Sequence, residues 1–241
     1  MSARTEMQAE PRVRLPVAVL AILATVVVAL LAVALVVRLE AVGLPTGPPR
    51  DPPAAPPEAV AFSVDAGRTA RLEEFSLTLP GAPFRCSGAQ DPPPGFAAYV
   101  GCTHTVHADY DGAGHDWSAL TGVLVVDDSL VEAGDLTATT TAVFDALVDR
   151  LYSAGDHYSL SKVSSGDVQV PVPAGRAASR LADVDVKKKG LATPYDRLVV
   201  VVVRLESGRH VVFFSDFPHD DSAAALRAVT TSLNTISVQR R

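Results

Sequence analysis

Apolar and polar positions change rhythm three times along this chain. The first rhythm is continuous. From Leu15 to Val37 the chain reads LPVAVLAILATVVVALLAVALVV, 23 apolar or near-apolar residues without a charge. As a helix this run would rise about 35 Å, enough to cross the roughly 30 Å hydrocarbon core of a bilayer with some tilt. The second rhythm is proline. Residues 43–57, GLPTGPPRDPPAAPP, hold seven prolines in 15 positions. Proline fixes φ and removes backbone donors, which rules out helix and central strand. A semi-rigid spacer of about 40 Å follows from that composition. The third rhythm, from about Ala59 onward, is alternation broken by turn residues, and it marks a folded domain.

Within residues 59–241, Phe75, Leu77 and Leu79 alternate with Ser76 and Thr78 until Pro80-Gly81 breaks the run. This predicts a strand. Tyr99 to His107 and Trp117 to Val126 predict two more, joined through a Gly- and Asp-rich loop. Val143, Phe144, Leu147, Val148 and Leu151 form one apolar helical stripe. Asp135 or Thr137 would cap that helix, and Ala154-Gly155-Asp156 would end it. Residues 168–172 and 177–186 are weaker strand candidates. Leu198 to Leu205 contains five consecutive valines, which implies a strand buried on both faces in the middle of a sheet. Glu206-Ser207-Gly208 turns it into a partner strand over Arg209 to Ser215, with Pro218 as the stop beyond it. A last helix, capped near Asp220, Asp221 or Ser222, would bury Leu226, Val229, Leu233 and Ile236. Strands, helix, strands, helix predict an α+β domain: an antiparallel sheet with two main helices, preceded by one transmembrane helix.

Charge separates the anchor from the domain. Residues 1–58 balance five arginines against five acidic residues, so the net −6 falls entirely on residues 59–241. An acidic domain without a basic stripe is a poor partner for nucleic acid or anionic lipid headgroups. The apolar run is too long for an ordinary signal peptide, and no cysteine follows it for lipid attachment. It reads as an uncleaved signal anchor. Arg4, Arg12 and Arg14 precede it, against Arg38 and Arg50 behind. That bias puts residues 1–14 in the cytoplasm, the 38–58 linker outside, and the domain beyond the plasma membrane as a single-pass protein. Cys86 and Cys102 are the only cysteines. In an oxidising compartment they would form a disulfide, which the chain-entropy account values at about 3 kcal/mol. The alternative is two thiols buried as small apolar side chains.

The element order resembles the PsbP-like α/β/α sandwich. The likeness lies in the early strand FSLTLPG at 75–81, the helix over 137–153, and the central hairpin followed by a helix at 198–236. Members of that group serve as photosystem accessory proteins, Ran-binding regulators and envelope proteins. The resemblance therefore implies a binding or accessory domain, not an enzyme, and it carries no site residue across.

The densest polar cluster runs from His104 to Asp116. Imidazoles and carboxylates are metal-ligand types. His107, Asp109 and Asp111 would share a face of a continuing strand, with His115 or Asp116 returning from the loop. His104 and His107, three apart, would face opposite sides. A calcium loop would need further acidic ligands that are missing. His219-Asp220-Asp221 opens the last helix, where carboxylates suit the dipole. No nucleophile elbow, Walker loop or dinucleotide fingerprint is present, so no cofactor is expected. The leading expectation is a membrane-anchored extracytoplasmic binding protein with an envelope or membrane protein partner. The competing one is an anchored metal-dependent hydrolase built on His107, Asp109, Asp111 and His115.

Overall fold

The computed structural model describes residues 60–152 and 157–239. The anchor expected at 15–37, its linker and the helix stop at 154–156 lie outside them. Among the described residues, no helix is long and apolar enough to cross a membrane. In chain order the elements are β1 (Ser63–Val64), β2 (Thr69–Leu72), β3 (Phe75–Thr78), β4 (Arg85–Gln90), β5 (Phe96–His107), β6 (Trp117–Val126), a 3-10 turn (Asp128–Leu130), α1 (Leu136–Tyr152), β7 (Tyr158–Ser165), β8 (Ala177–Val186), β9 (Asp196–Arg204), β10 (His210–Pro218), α2 (Ala223–Leu233) and β11 (Ser237–Val238). The class is α+β with antiparallel sheets, as expected. Seven strands form one sheet in the order β4-β5-β6-β10-β9-β8-β7, and a small sheet runs β1-β2-β3-β11.

The valine run does what its pattern implied. Side chains alternate across a pleated strand, so Leu198, Val200 and Val202 pack in one cluster with Val143, Phe144, Leu147 and Val148 of α1. Val201 and Val203 point the other way, into a cluster with Phe75 and Leu77 of the small sheet and Val229 of α2. Burial at these valines is complete on both faces, which fits β9 lying between β10 and β8. Asp135 caps α1 by accepting from the Ala138 amide at 2.9 Å. Ser222 caps α2 by accepting from Ala225 at 3.1 Å. Cys86 on β4 and Cys102 on β5 are cross-strand partners and form the disulfide, with an S–S distance of 2.01 Å.

Two expectations need correction, and one strand, β7, was not predicted. The segment 168–172 is not a strand. Pro171 and Pro173 remove backbone donors from it, and Val172 closes a tight turn onto the Val170 carbonyl at 2.8 Å. Its valines still pack on the core as partly buried residues. Strand β7 gave no apolar signal because it is an edge. Its register shifts between Ser161 and Ser164, Lys162 takes a φ of 48°, and Leu160 and Val163 stay exposed. Such a bulge keeps an edge from pairing with another chain. On α2, Leu226 is 49% exposed, while Ala225, Val229 and Ser232 face the core. The Ser232 hydroxyl is satisfied there by donating to the Thr78 carbonyl at 2.6 Å. Reading hydrophobicity alone favours Leu226 over this small, polar-containing stripe.

Candidate functional site

The polar end of β5 shows how the backbone overrides simple alternation. The β5–β6 register shifts between Thr105 and His107, so His104 pairs with Ala119 and His107 with Trp117. The shift adds one residue to β5 opposite β6 at this point, which alters the simple alternation between the two histidines. Both reach the turn between β10 and α2. His104 Nε2 lies 3.3 Å from Asp221 Oδ1, and His107 Nε2 lies 3.1 Å from Asp220 Oδ2. Burial tends to raise the Asp220 carboxyl, but hydrogen bonds from Thr193 and His107 outweigh it and hold Asp220 below the usual carboxylate range.

The remaining metal candidates are spent elsewhere. Strand β5 ends at His107, and Asp109 turns the chain at a φ of 47°. The face shared by His107, Asp109 and Asp111 therefore does not form. Asp109 accepts from the Gly114 amide at 2.6 Å, and Asp116 accepts from the Asp109 amide at 2.9 Å. Asp111 pairs with His115 Nδ1 at 2.6 Å. These are loop-bracing contacts. Among the described residues, no three His, Cys, Asp or Glu side chains gather in a way that could hold a metal ion.

Sequence reasoning missed two carboxyls on the α1 side of the sheet. Asp196 opens β9 and Asp216 lies near the end of β10, and both are buried. The Tyr152 hydroxyl, from the last residue of α1, stands 2.5 Å from Asp216 Oδ1 and 3.4 Å from Asp196 Oδ2. Trp117 Nε1 donates to both Asp196 oxygens, at 3.2 and 3.0 Å. Desolvation pushes Asp196 up to about 6, against the lowering hydrogen bonds from Trp117 and Tyr152. Asp216 is raised well above its ordinary value, first by burial and then by the Asp196 charge. The Tyr152 phenol is raised for the same reasons. A signal was present: Asp196 directly precedes the most apolar strand, and Asp216 interrupts Phe213-Phe214-Ser215-Asp216-Phe217. Charges inside such strands must be paired or neutral.

Beside this acid cluster the α1 side of the sheet is not fully covered. A groove of about 440 Å³ opens between α1 and the loop after β4. Tyr99, Leu120, Leu124 and Phe214 form its floor, and Leu147 and Leu151 of α1 form a wall. Prolines 92–94 face that wall. Gly101 keeps the floor low: a β-carbon there would sit 1.9 Å from the Tyr99 hydroxyl, so the phenol ring folds back over a bare backbone. Phe214 lies beside it, with ring centroids 6.2 Å apart. Leu120 on the floor is the direct cross-strand partner of Asp216, so the groove and the buried carboxyls are neighbours. Arg150 stands at the rim, with Gln90 and Asp91 across the loop side. Its guanidinium has no ion pair among the described residues. The volume and the apolar lining with a few polar groups are those of small-molecule sites. Compared with known proteins, the chain matches no family model and no curated relative.

Proposed function

We propose that this protein is a single-pass, membrane-anchored binding and accessory protein. Its acidic α+β domain stands outside the plasma membrane on the proline spacer, and its groove takes an amphiphile with an apolar chain and an acidic head. The groove beside α1 is the observation that carries this reading. Its leucines and aromatic rings suit an alkyl chain, and Arg150 at the rim suits a carboxylate or phosphate. The Tyr99 hydroxyl adds a polar group on the floor. The disulfide supports an oxidising compartment. The charge-free run at 15–37 supports the anchor. Helices packed on opposite faces of an antiparallel sheet support the PsbP-like resemblance and the α/β/α arrangement.

The test is photo-cross-linking in cells that express the full chain, using an alkyl-diazirine fatty acid. Cross-links mapped to residues 147–151 and 120–124, and reduced several-fold by Arg150→Gln, are the expected result. Labelling confined to residues 15–37 would reflect bilayer contact alone and would overturn the groove assignment.

A further inference from the structure

The last turn of α1 does two jobs at once. Leu147 and Leu151 wall the groove, and Tyr152, the next residue, ties the helix end to the sheet through Asp216 and Asp196. A phenol has one proton to give. With one carboxyl protonated the cluster can be satisfied as a chain: Asp216 donates to the Tyr152 oxygen, and Tyr152 and Trp117 donate to Asp196. With both carboxyls ionised, Tyr152 can serve only one of them. If Tyr152 serves Asp216, Asp196 keeps only the neutral Trp117 indole as donor. If it serves Asp196, Asp216 loses its Tyr152 donor. Either way two like charges are buried beside each other, which is strongly unfavourable.

The surroundings offer little relief. Trp117 from β6 is a neutral donor. His107 from β5 and Asp220 from the turn after β10 act on Asp196 at longer range, with opposite effects. Tyr158 from β7 packs against the Tyr152 ring, centroids 5.8 Å apart, and its hydroxyl is directed to Asp149 on α1 at 3.4 Å. Arg197, next to Asp196 on β9, is committed to Asp183 at 2.7 Å, as is Lys162 from β7 at 2.9 Å.

We propose that Asp216, Tyr152 and Asp196 form a pH-operated latch, which holds the last turn of α1 on the sheet while the carboxyl pair keeps a proton and releases it once both are ionised. Because that turn walls the groove, raising the pH loosens the site. This consequence rests on the binding reading above, whereas the latch does not. The strong upward push on both carboxyls by burial agrees with a closed state that retains protons. In the window where the closed state holds one proton more than the open one, the open population grows up to tenfold per pH unit.

Hydrogen exchange of the full chain in lipid nanodiscs, corrected for the intrinsic pH dependence of exchange, reads the latch directly. Amides 148–152 should open at least tenfold more often at pH 8 than at pH 5, while amides in β9 do not change. Asp216→Asn, which stays neutral, should flatten that response. Asp196→Asn removes the like charge from the other side and should flatten it as well, so it serves if Asp216→Asn does not fold. A wild-type response no steeper than intrinsic exchange, or a response that survives in the folded variant, overturns the latch. Fatty-acid cross-linking absent at both pH values would instead overturn the groove and leave the latch standing.

Discussion

The two faces of the seven-stranded sheet are built from the same strands and yet solve different problems. On one face Val201, Val203, Val211 and Phe213 meet the small sheet and α2, which close over them with Phe75, Leu77, Ala225 and Val229. On the other face Val200, Val202, Val212 and Phe214 meet a single helix. One helix covers a stripe about 10 Å wide, which is narrower than seven strands spaced about 4.8 Å apart. The first face is therefore sealed and mostly apolar. The second keeps a groove over β5 and β6 and holds two carboxyls where α1 ends. The difference teaches where to look for function: a sheet face with too little cover is where a fold has room for a ligand and where buried ionisable groups can act.

The sharpest way to break the comparison is truncation of neighbouring phenylalanines. Phe213→Ala should cost about 3–5 kcal/mol, because its cavity opens in a closed core. Phe214→Ala, one residue on, should cost about 2 kcal/mol, because its ring borders the groove and gives up fewer contacts. Urea unfolding with unchanged slope would measure both. Equal losses would mean that the groove is packed as tightly as the sealed face.

A second contrast lies in buried carboxyls with opposite pH behaviour. Asp196 in the folded protein holds its proton up to about pH 6, against 3.8 for an unperturbed aspartate. The folded state then binds more protons than the unfolded one between about pH 4 and pH 6. Stability should fall as pH rises through that window, by about 3 kcal/mol from this group. Asp183 is held below its ordinary value: burial raises it, but Arg197 and Lys162 prevail. Its contribution is present at neutral pH and lost as pH falls through its folded value. Stability curves from pH 3 to pH 8 should therefore lose part of the rising-pH penalty in Asp196→Asn, the buried Asp216 keeping the rest, and part of the acid-side loss in Asp183→Asn. Parallel curves for wild type and both variants would remove the distinction.

The smallest effects compare the helices that cover each face. Asp135→Ala at the start of α1 and Ser222→Ala at the start of α2 should each cost about 1 kcal/mol, since each leaves one helical amide unpaired. If α1 is the looser cover, the Asp135 change should also raise exchange across α1, while the Ser222 change leaves α1 unaffected. Hydrogen exchange would show either pattern.

Much of the fold was legible because burial on a sheet writes itself into composition. Trp117–Val126 and Ala177–Val186 fall where alternation placed them, and the valines of β9 declared an interior strand. The edge strand β7 was not legible, because a strand with one partner and exposed side chains needs no apolar pattern. The candidate site was legible only in part. His104 to Asp116 stood out as chemistry, yet a single extra residue at the β5 bulge redirected His107 to Asp220, and a turn at Asp109 ended the face it was expected to share. Asp196 and Asp216 drew no notice, since 20 positions separate them and nothing local links them.

By itself the sequence determined the division into a charge-free run, a proline-rich stretch and an acidic α+β domain, along with its two helices, its valine hairpin and the cysteines available for a bridge. These depend on local periodicity, on proline's missing donor and on the count of charges. Only the tertiary structure decided that Cys86 and Cys102 face each other, that His104 and His107 reach adjacent aspartates of one turn, and that Tyr152, Asp196 and Asp216 meet under the end of a helix. Those arrangements depend on strand register and on which element covers which face, and register is set by pairings between segments far apart in the chain.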